Sequence, residues 1–313
     1  MSFRPHVLHL TTSAGYASLK DALVLMLARL FGVAGLIHYR TSEIGLYENI
    51  GGWKLYAAFA AMRFASIVVA LDNRTYAFLQ KLLPAHKVVK IVNMIDLDEI
   101  DGLVRKTRVE FPNKSNGNNP RLVFVGRAVP EKGLVEQITA CAQLPSVHLH
   151  IVGPVNEEFQ HQLQHVARSR EEGTWLHFHG DVDNEEACRQ VLWSDIFLLP
   201  SLYEAFPNAL LEAMALAKPV VVSDVGAMPE MIDAKGESPC GLCVPAGNTD
   251  SLRSALKQIL EEPEFRHVMG QRGRKRVELL YSTDTVVRRL VCLWEGAISS
   301  RSNSNVVEPK TLE

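Results

Sequence analysis

The stretch SLYEAFPNALLEAMALAKPVVVSD, Ser201 to Asp224, decides the fold. A short apolar run, Ile196–Leu199, leads into it, and a second, Val220–Val222, closes it. Between them lies an Ala- and Leu-rich segment of helical character, opened by Phe206-Pro207. Buried strand, loop, helix, buried strand is a unit of a parallel sheet with helices on its faces. The same alternation extends outward in both directions. Downstream it reaches Leu242–Val244. Upstream it includes Leu176–His179, Leu149–Val152 and Leu122–Val125. Before residue 111 a separate series runs through His6–Leu10, Leu36–Tyr39, Ile67–Leu71 and Val88–Val92, with helical periodicity between the strands. The fold class is therefore α/β, with two Rossmann-like doubly wound parallel-sheet domains and a cleft expected between them.

The boundary is read from composition. Phe111–Pro120 is rich in Asn, Pro and Gly and offers almost nothing to a core. The expected layout is a first domain over 1–110, a linker over 111–120 and a second domain over 121–282. A terminal helix over 283–298 is expected to pack back on the first domain, and 299–313 is read as a disordered tail. A length of 313 residues with 47% hydrophobic and 22% charged residues suits two soluble domains. Arg29, Lys54 and Arg63 interrupt the longest apolar stretches, so no bilayer span is expected. Met1–Pro5 leads straight into a strand-like run, and no secretory leader is expected. Five scattered cysteines suit a reducing, cytoplasmic setting. Cys240-x-x-Cys243 has no second pair to complete a zinc knuckle. The net charge of −2 is uneven: residues 1–117 carry 14 Lys+Arg against 9 Asp+Glu, and the remainder 19 against 26. A basic first part suits membrane phosphates or a phosphorylated acceptor. A nucleic-acid partner is not expected.

Ligands of open α/β sheets bind beyond the carboxyl ends of strands. Arg127 and Lys132 follow the strand ending in LVFVG, supplying a planar fork of donors and a mobile charge for a diphosphate. The alternative is a pair of solvated loop charges. Pro207 is predicted at the first helical position. The amides of Asn208 and Ala209 then face phosphate oxygens, helped by the helix dipole. Phe206, just before that helix, is counted with the candidate binding residues. Glu204 precedes the helix and Glu212 lies in its second turn. A carboxylate suits a pair of vicinal ribose hydroxyls, and beside an apolar strand it is costly without such partners. The plain alternative is a loop acid and a helix-surface acid. Gly153, Gly180 and Val182 also follow strands, where backbone and an apolar side chain hold a nucleotide base. His148/His150 and His177/His179 have strand spacing that puts each pair on one face. No carboxylate or cysteine completes a ligand set, and no metal is expected.

Taken in order, FVGRAVPEKG, IVGP, FHGDV, LLPSLYEAFPNALLEAMALAKPVVVSDVGAMPEMI and GLCVPAGNTDSL resemble family 4 of the nucleotide-sugar glycosyltransferases, also called group 1. The resemblance runs from Arg121 to about Ile298 and is looser before it. It implies a GT-B fold and retaining transfer of a sugar from a UDP- or GDP-sugar to an acceptor hydroxyl, without a metal. It also implies cell-envelope polysaccharide or glycolipid synthesis with a saccharide or lipid-linked acceptor. Arg127, Lys132 and Glu204 would be the catalytic group, with Glu212 on the ribose. Ala205 and Pro207 stand where the family often has glycine, and Met94-Ile95 where it has Gly-Val. The first βα units of the family pattern are not matched, so the N-terminal half is expected to be shortened. Aligned on HYRTSE, Arg40 stands where the family often has a histidine, with His38 two residues earlier. Both are acceptor-side candidates. Peripheral contact with a membrane face is a further expectation. Alternatives are a non-catalytic nucleotide-sugar-binding subunit or inactive fragment, and a sugar-nucleotide 2-epimerase.

Overall fold

A computed structural model describes residues 5–13, 17–40, 53–110, 119–170 and 175–302. Among them the chain forms two compact units, Met1–Asn93 with Asp284–Glu313, and Met94–Thr283.

The first unit is a four-stranded parallel sheet of β1 (Val7–Thr12), β2 (Ala34–Tyr39), β3 (Ile67–Ala70) and β4 (Val88–Lys90), in the order β1-β2-β3-β4. Its helices are α1 (Ala17–Leu30), α2 (Trp53–Phe64) and α3 (Asn73–Leu82). Right-handed crossovers that always step the same way place successive helices on one face. The core on that face joins Leu25, Ile37, Tyr39, Met62 and Leu79. The residues alternating with these along the strands point to the other face. There Ala34 and Leu36 pack against Leu293, Trp294 and Ala297 of a C-terminal helix, Thr283–Ser302.

The second unit carries the longer sheet: β5 (Arg121–Val125), β6 (His148–Val152), β7 (Leu176–Gly180), β8 (Ile196–Leu199), β9 (Val220–Ser223) and β10 (Gly241–Val244). Its order is β10-β9-β8-β5-β6-β7, all parallel. The chain winds outward from β5 to β7, then returns to the other side of β5. The winding direction reverses between β5 and β8, and this is the place where such sheets bind ligands. Helix α4 (Leu97–Glu110) precedes β5, and α5 (Leu134–Ala142) comes after it. The others are α6 (Glu157–Ala167), α7 (Asn184–Leu192), α8 (Asn208–Ala215), α9 (Met228–Met231), α10 (Thr249–Glu261) and α11 (Pro263–Leu280); the C-terminal helix is α12.

The structure divides the chain at Asn93/Met94, not at the Asn-rich segment. The reason is α4, a helix that the sequence pattern did not separate. Asp96 accepts from the amides of Asp98 and Glu99 and opens it. It then packs on α7 and α8. Arg274 grips both carboxylate oxygens of Asp101 at 2.8 and 2.9 Å, and Lys106 meets Glu185 at 2.6 Å. Helix α12 runs to Ser302, past the expected end at residue 298. Residues 111–118 of the expected linker and 303–313 of the expected tail lie outside the described residues. Cys141, Cys188 and Cys240 are buried free thiols, and burial pushes Cys240 and Cys243 up to about 11. Such thiols are poor nucleophiles and poor redox partners.

Candidate active site

The carboxyl ends of β5, β6 and β7 are laced together by backbone. The Gly126 amide donates to Val152 at 2.9 Å and the Gly153 amide to Gly180 at 2.8 Å. Arg127 leaves this rim exposed to solvent, and Val182 is half-buried beyond β7. After β5 a single 3-10 turn, Pro130–Lys132, leads to Gly133. Gly133 has φ +66°, and a Cβ there would stand 2.2 Å from the Pro200 carbonyl oxygen. Only glycine permits that approach. It brings the β5 loop against the β8 loop, where the Leu202 amide donates to Glu131 at 2.8 Å.

At this junction Lys132 Nζ lies 2.5 Å from Glu204 Oε1, with side chains 25% and 11% exposed. Ser201 Oγ donates to the same oxygen at 3.2 Å, and Ser223 Oγ holds the Ser201 carbonyl. The β9 loop supports Glu204 from the other side. Gly226, at φ +55°, allows the Glu204 and Ala205 carbonyls to approach, and the Ala227 amide donates to Ala205 at 2.8 Å. Ser201, Ser223 and Gly226 are positioning residues that the sequence pattern did not single out. The serines end apolar strands, which was the available signal.

Helix α8 starts at Asn208, one residue later than expected. Pro207 is its N-cap, at φ −72° and ψ 123°, and has no side-chain acceptor to close the first turn. Asn208 and Ala209 are thus the first two helical residues. Phe206 turns inward. It is buried and meets the Tyr281 ring edge-on at 5.7 Å between centroids, so its side chain belongs to the core.

Glu212 occupies the second turn of α8, as expected, and is half-buried. Burial, and secondly the charge of Glu99 on α4, push its carboxyl up to about 7. Among the described residues no hydrogen bond or ion pair satisfies that carboxylate. Glu99 was not foreseen, because its helix was not.

His38 is buried and stacks on His9 at 5.5 Å, with rings 21° apart. Burial first, then the charge of Arg40, drive its imidazole down to about 3, so it is neutral near pH 7. Trp294 Nε1 donates to His9 Nδ1 at 3.2 Å. His38 is a packed strand residue and supplies no exposed base. Arg40 is exposed, and its amide donates to Thr12 at 2.8 Å. The histidine pairs on β6 and β7 do share a face. His148 Nδ1 lies 2.9 Å from His177 Nε2, and His150 Nδ1 lies 2.9 Å from His179 Nε2. The rings bond to one another. Among the described residues no group of three or more His, Cys, Asp or Glu is placed to hold a metal ion.

The sequence profile described as Glycosyl transferases group 1 matches residues 105–276, more than half of the chain. The chain belongs to the group 1 glycosyltransferases. Curated relatives include the MMP alpha-(1->4)-mannosyltransferase of Mycolicibacterium hassiacum, 27% identical over 205 residues, covering 62% of this chain and 47% of the relative. The alpha-maltose-1-phosphate synthase of Mycolicibacterium smegmatis is 29% identical over 171 residues, covering 51% and 43%. The chain spans about half the length of the curated relatives it matches. Among solved structures, sucrose-phosphate synthase from Thermosynechococcus elongatus superposes with a TM-score of 0.76 at 21% identity, covering 94% of this chain and 74% of that one. Anabaena HepE, solved with UDP, gives 0.75 at 19% identity, covering 92% and 78%. The two parallel sheets are thus those of a GT-B glycosyltransferase fold. The group 1 profile begins inside α4, in agreement with that helix belonging to the second unit.

Proposed function

We propose that this group 1 glycosyltransferase binds a UDP- or GDP-sugar at the carboxyl edge of the second sheet. It transfers the sugar, with retention of configuration and without a metal, to a hydroxyl of a saccharide or lipid-linked acceptor. The setting is cell-envelope polysaccharide or glycolipid synthesis in the cytoplasm. The observation that carries the reading is the Lys132–Glu204 pair at the β5/β8 reversal, beside the start of α8, where Pro207 makes no side-chain cap. In this reading the diphosphate lies between Arg127, Lys132 and the amides of Asn208 and Ala209. Gly153, Gly180 and Val182 border the base. Phe206 contributes backbone only. Glu204 accepts from hydroxyls of the transferred sugar, and Glu212 accepts from the ribose, whose two O–H groups repay the cost of its burial.

In the reaction the bond from the anomeric carbon to the phosphate oxygen breaks, and that carbon gains oxocarbenium character. The acceptor oxygen bonds to the same face, and its proton passes to the departing phosphate. Lys132 and Arg127 stabilise the charge growing on that diphosphate. Lys132 must leave Glu204 at least in part to do so, which frees Glu204 for the sugar.

The test is to incubate the chain with UDP- and GDP-sugars and read nucleotide release and the product anomer. Lys132→Ala is expected to lower turnover by about 10²–10³-fold while nucleotide binding persists. Unchanged turnover removes Lys132 from the mechanism. A second reading, a nucleotide-sugar-binding subunit without transfer, is favoured by the burial and neutrality of His38 and by Arg40 at the neighbouring position, which cannot act as a base. Nucleotide binding with neither transfer nor hydrolysis selects it.

A further inference from the structure

Ala205, Phe206 and Pro207 join Glu204 to the start of α8. Pro207 stiffens its own backbone, but so short a bridge cannot fix Glu204 in space by itself. Two of its residues are held from outside. The Ala205 carbonyl accepts from the Ala227 amide at 2.8 Å. Ala227 leads into α9, and the Met231 amide donates back to the Ala227 carbonyl at 2.8 Å. The Phe206 ring meets the edge of Tyr281, which is buried just past the end of α11.

Both anchors trace to one side chain. Arg276 of α11 donates from Nε to the Met231 carbonyl at 2.8 Å and from Nη2 to the Glu230 carbonyl at 2.9 Å. These two residues close α9, and helix ends call on side chains for such partners. Arg276 Nη1 stands 3.7 Å from Asp233 Oδ1. The same guanidinium is the side-chain partner of the buried Tyr281 hydroxyl. A planar fork with all three nitrogens engaged holds α9 and Tyr281 in a fixed relation, which a point charge on a flexible stem does not. The links close into a ring. Arg276 holds α9, α9 holds Ala205, Phe206 rests on Tyr281, and Tyr281 returns to Arg276. Glu204 leaves this ring to face Lys132.

We infer that Arg276 and Tyr281 are positioning residues for Glu204, acting through the backbone of Ala205 and the ring of Phe206. The inference rests on the reading that Glu204 accepts from hydroxyls of the transferred sugar. Misplacing such a group by about 1 Å costs up to about 10²-fold in turnover. Arg127 and Glu212, which that reading assigns to the nucleotide, lie outside the ring.

The experiment compares Arg276→Met, Arg276→Lys, Tyr281→Leu and Tyr281→Phe in the full chain, each below its melting temperature. Turnover of the UDP- or GDP-sugar is expected to fall about 10–10²-fold in Arg276→Met and Tyr281→Leu, with calorimetric affinity for the free nucleotide within about twofold of native. Tyr281→Phe keeps the ring and is expected to retain most of the turnover. Arg276→Lys is not expected to rescue it. The double variant Arg276→Met/Tyr281→Leu is expected to be little worse than either single one, because both break the same ring. Leu163→Ala, in the buried face of α6, is the control for lost stability alone. Turnover that falls only in step with melting temperature, in the control as in the variants, overturns the inference. Fully multiplicative losses in the double variant do the same. A crystal structure of Arg276→Met reads the positioning without substrate: the Lys132–Glu204 contact, 2.5 Å in the native chain, is expected to open. Should that variant not fold, the structure of Tyr281→Leu answers the same question. An unmoved contact overturns the inference even where the native chain binds nucleotide. A native chain that binds neither UDP nor GDP overturns the donor-site reading instead, so the two failures are separable.

Discussion

Glu212 shows how one side chain carries information that its neighbours in sequence do not. It is a carboxyl in the second turn of α8, shifted to about 7 by burial and by Glu99. If its ionised form accepts the ribose hydroxyls, affinity for UDP or GDP falls as pH drops through 7. Calorimetric titration at pH 8 and pH 6 is expected to show that loss in the native chain. Glu212→Gln is expected to bind more weakly at pH 8 and to lose most of the pH dependence. A slope unchanged by the substitution would locate the titrating group elsewhere, for example on the nucleotide phosphate. Gly133 belongs to the same scale. Its left-handed backbone and the 2.2 Å approach of Pro200 oxygen leave no room for a methyl group. Gly133→Ala is expected to cost about 3 kcal/mol in urea unfolding, from conformational strain and the displaced β8 loop. Because that loop carries Glu204, nucleotide affinity falls with it.

Among the elements, β6 and β7 carry a feature without a role in transfer. Asn119 Nδ2 can only donate, so His148 Nε2, 3.1 Å away, accepts. Neutral His148 then keeps its proton on Nδ1 and donates it to His177. The ladder works only while the rings are neutral. His150 is 8% exposed, and burial, followed by Arg121 and the neighbouring imidazoles, pushes it down to about 2. His148 and His177 are also lowered, burial first and then Arg170 and His148 respectively. In the unfolded chain these rings titrate near 6.5. The folded state therefore binds fewer protons. Its stability is complete above about pH 6.5 and falls as pH drops below that value. Between pH 6.5 and 5, His150 alone accounts for at most about 2 kcal/mol. The urea midpoint is expected to fall over this window, and His150→Gln to flatten the fall. His38, driven to about 3 in the first unit, retains part of it.

For the whole molecule the useful quantity is ligand-linked stability. A nucleotide at one hundred times its Kd adds about 2.7 kcal/mol to the native state that binds it. Scanning calorimetry with UDP, GDP and ADP is expected to raise the melting temperature by a few degrees for the matching base. A flat response to all three removes the donor site. The same measurement on Lys132→Ala separates binding from catalysis, because Glu212 and the α8 start are intact there.

The local elements were legible because their signals are local. Short apolar runs gave the strands, and Gly126, Gly153 and Gly180 marked the carboxyl ends of β5, β6 and β7. The order of these motifs located the stretch that the group 1 profile matches, and the spacing of Glu204 and Glu212 placed one before α8 and one within it. Pro207 was misplaced by one residue because proline suits either side of a helix start. What remained was decided between residues far apart in the chain. Helix α4 joined the second unit because Asp101 found Arg274 and Lys106 found Glu185. Lys132 paired with Glu204 because Gly133 lets two loops touch. Phe206 was claimed by Tyr281, and His38 by its stack with His9. A sequence fixes periodicity and backbone freedom directly, whereas burial and charge pairing depend on which distant surfaces meet. Those meetings set every pKa and every exposed patch on which the chemistry of this chain rests.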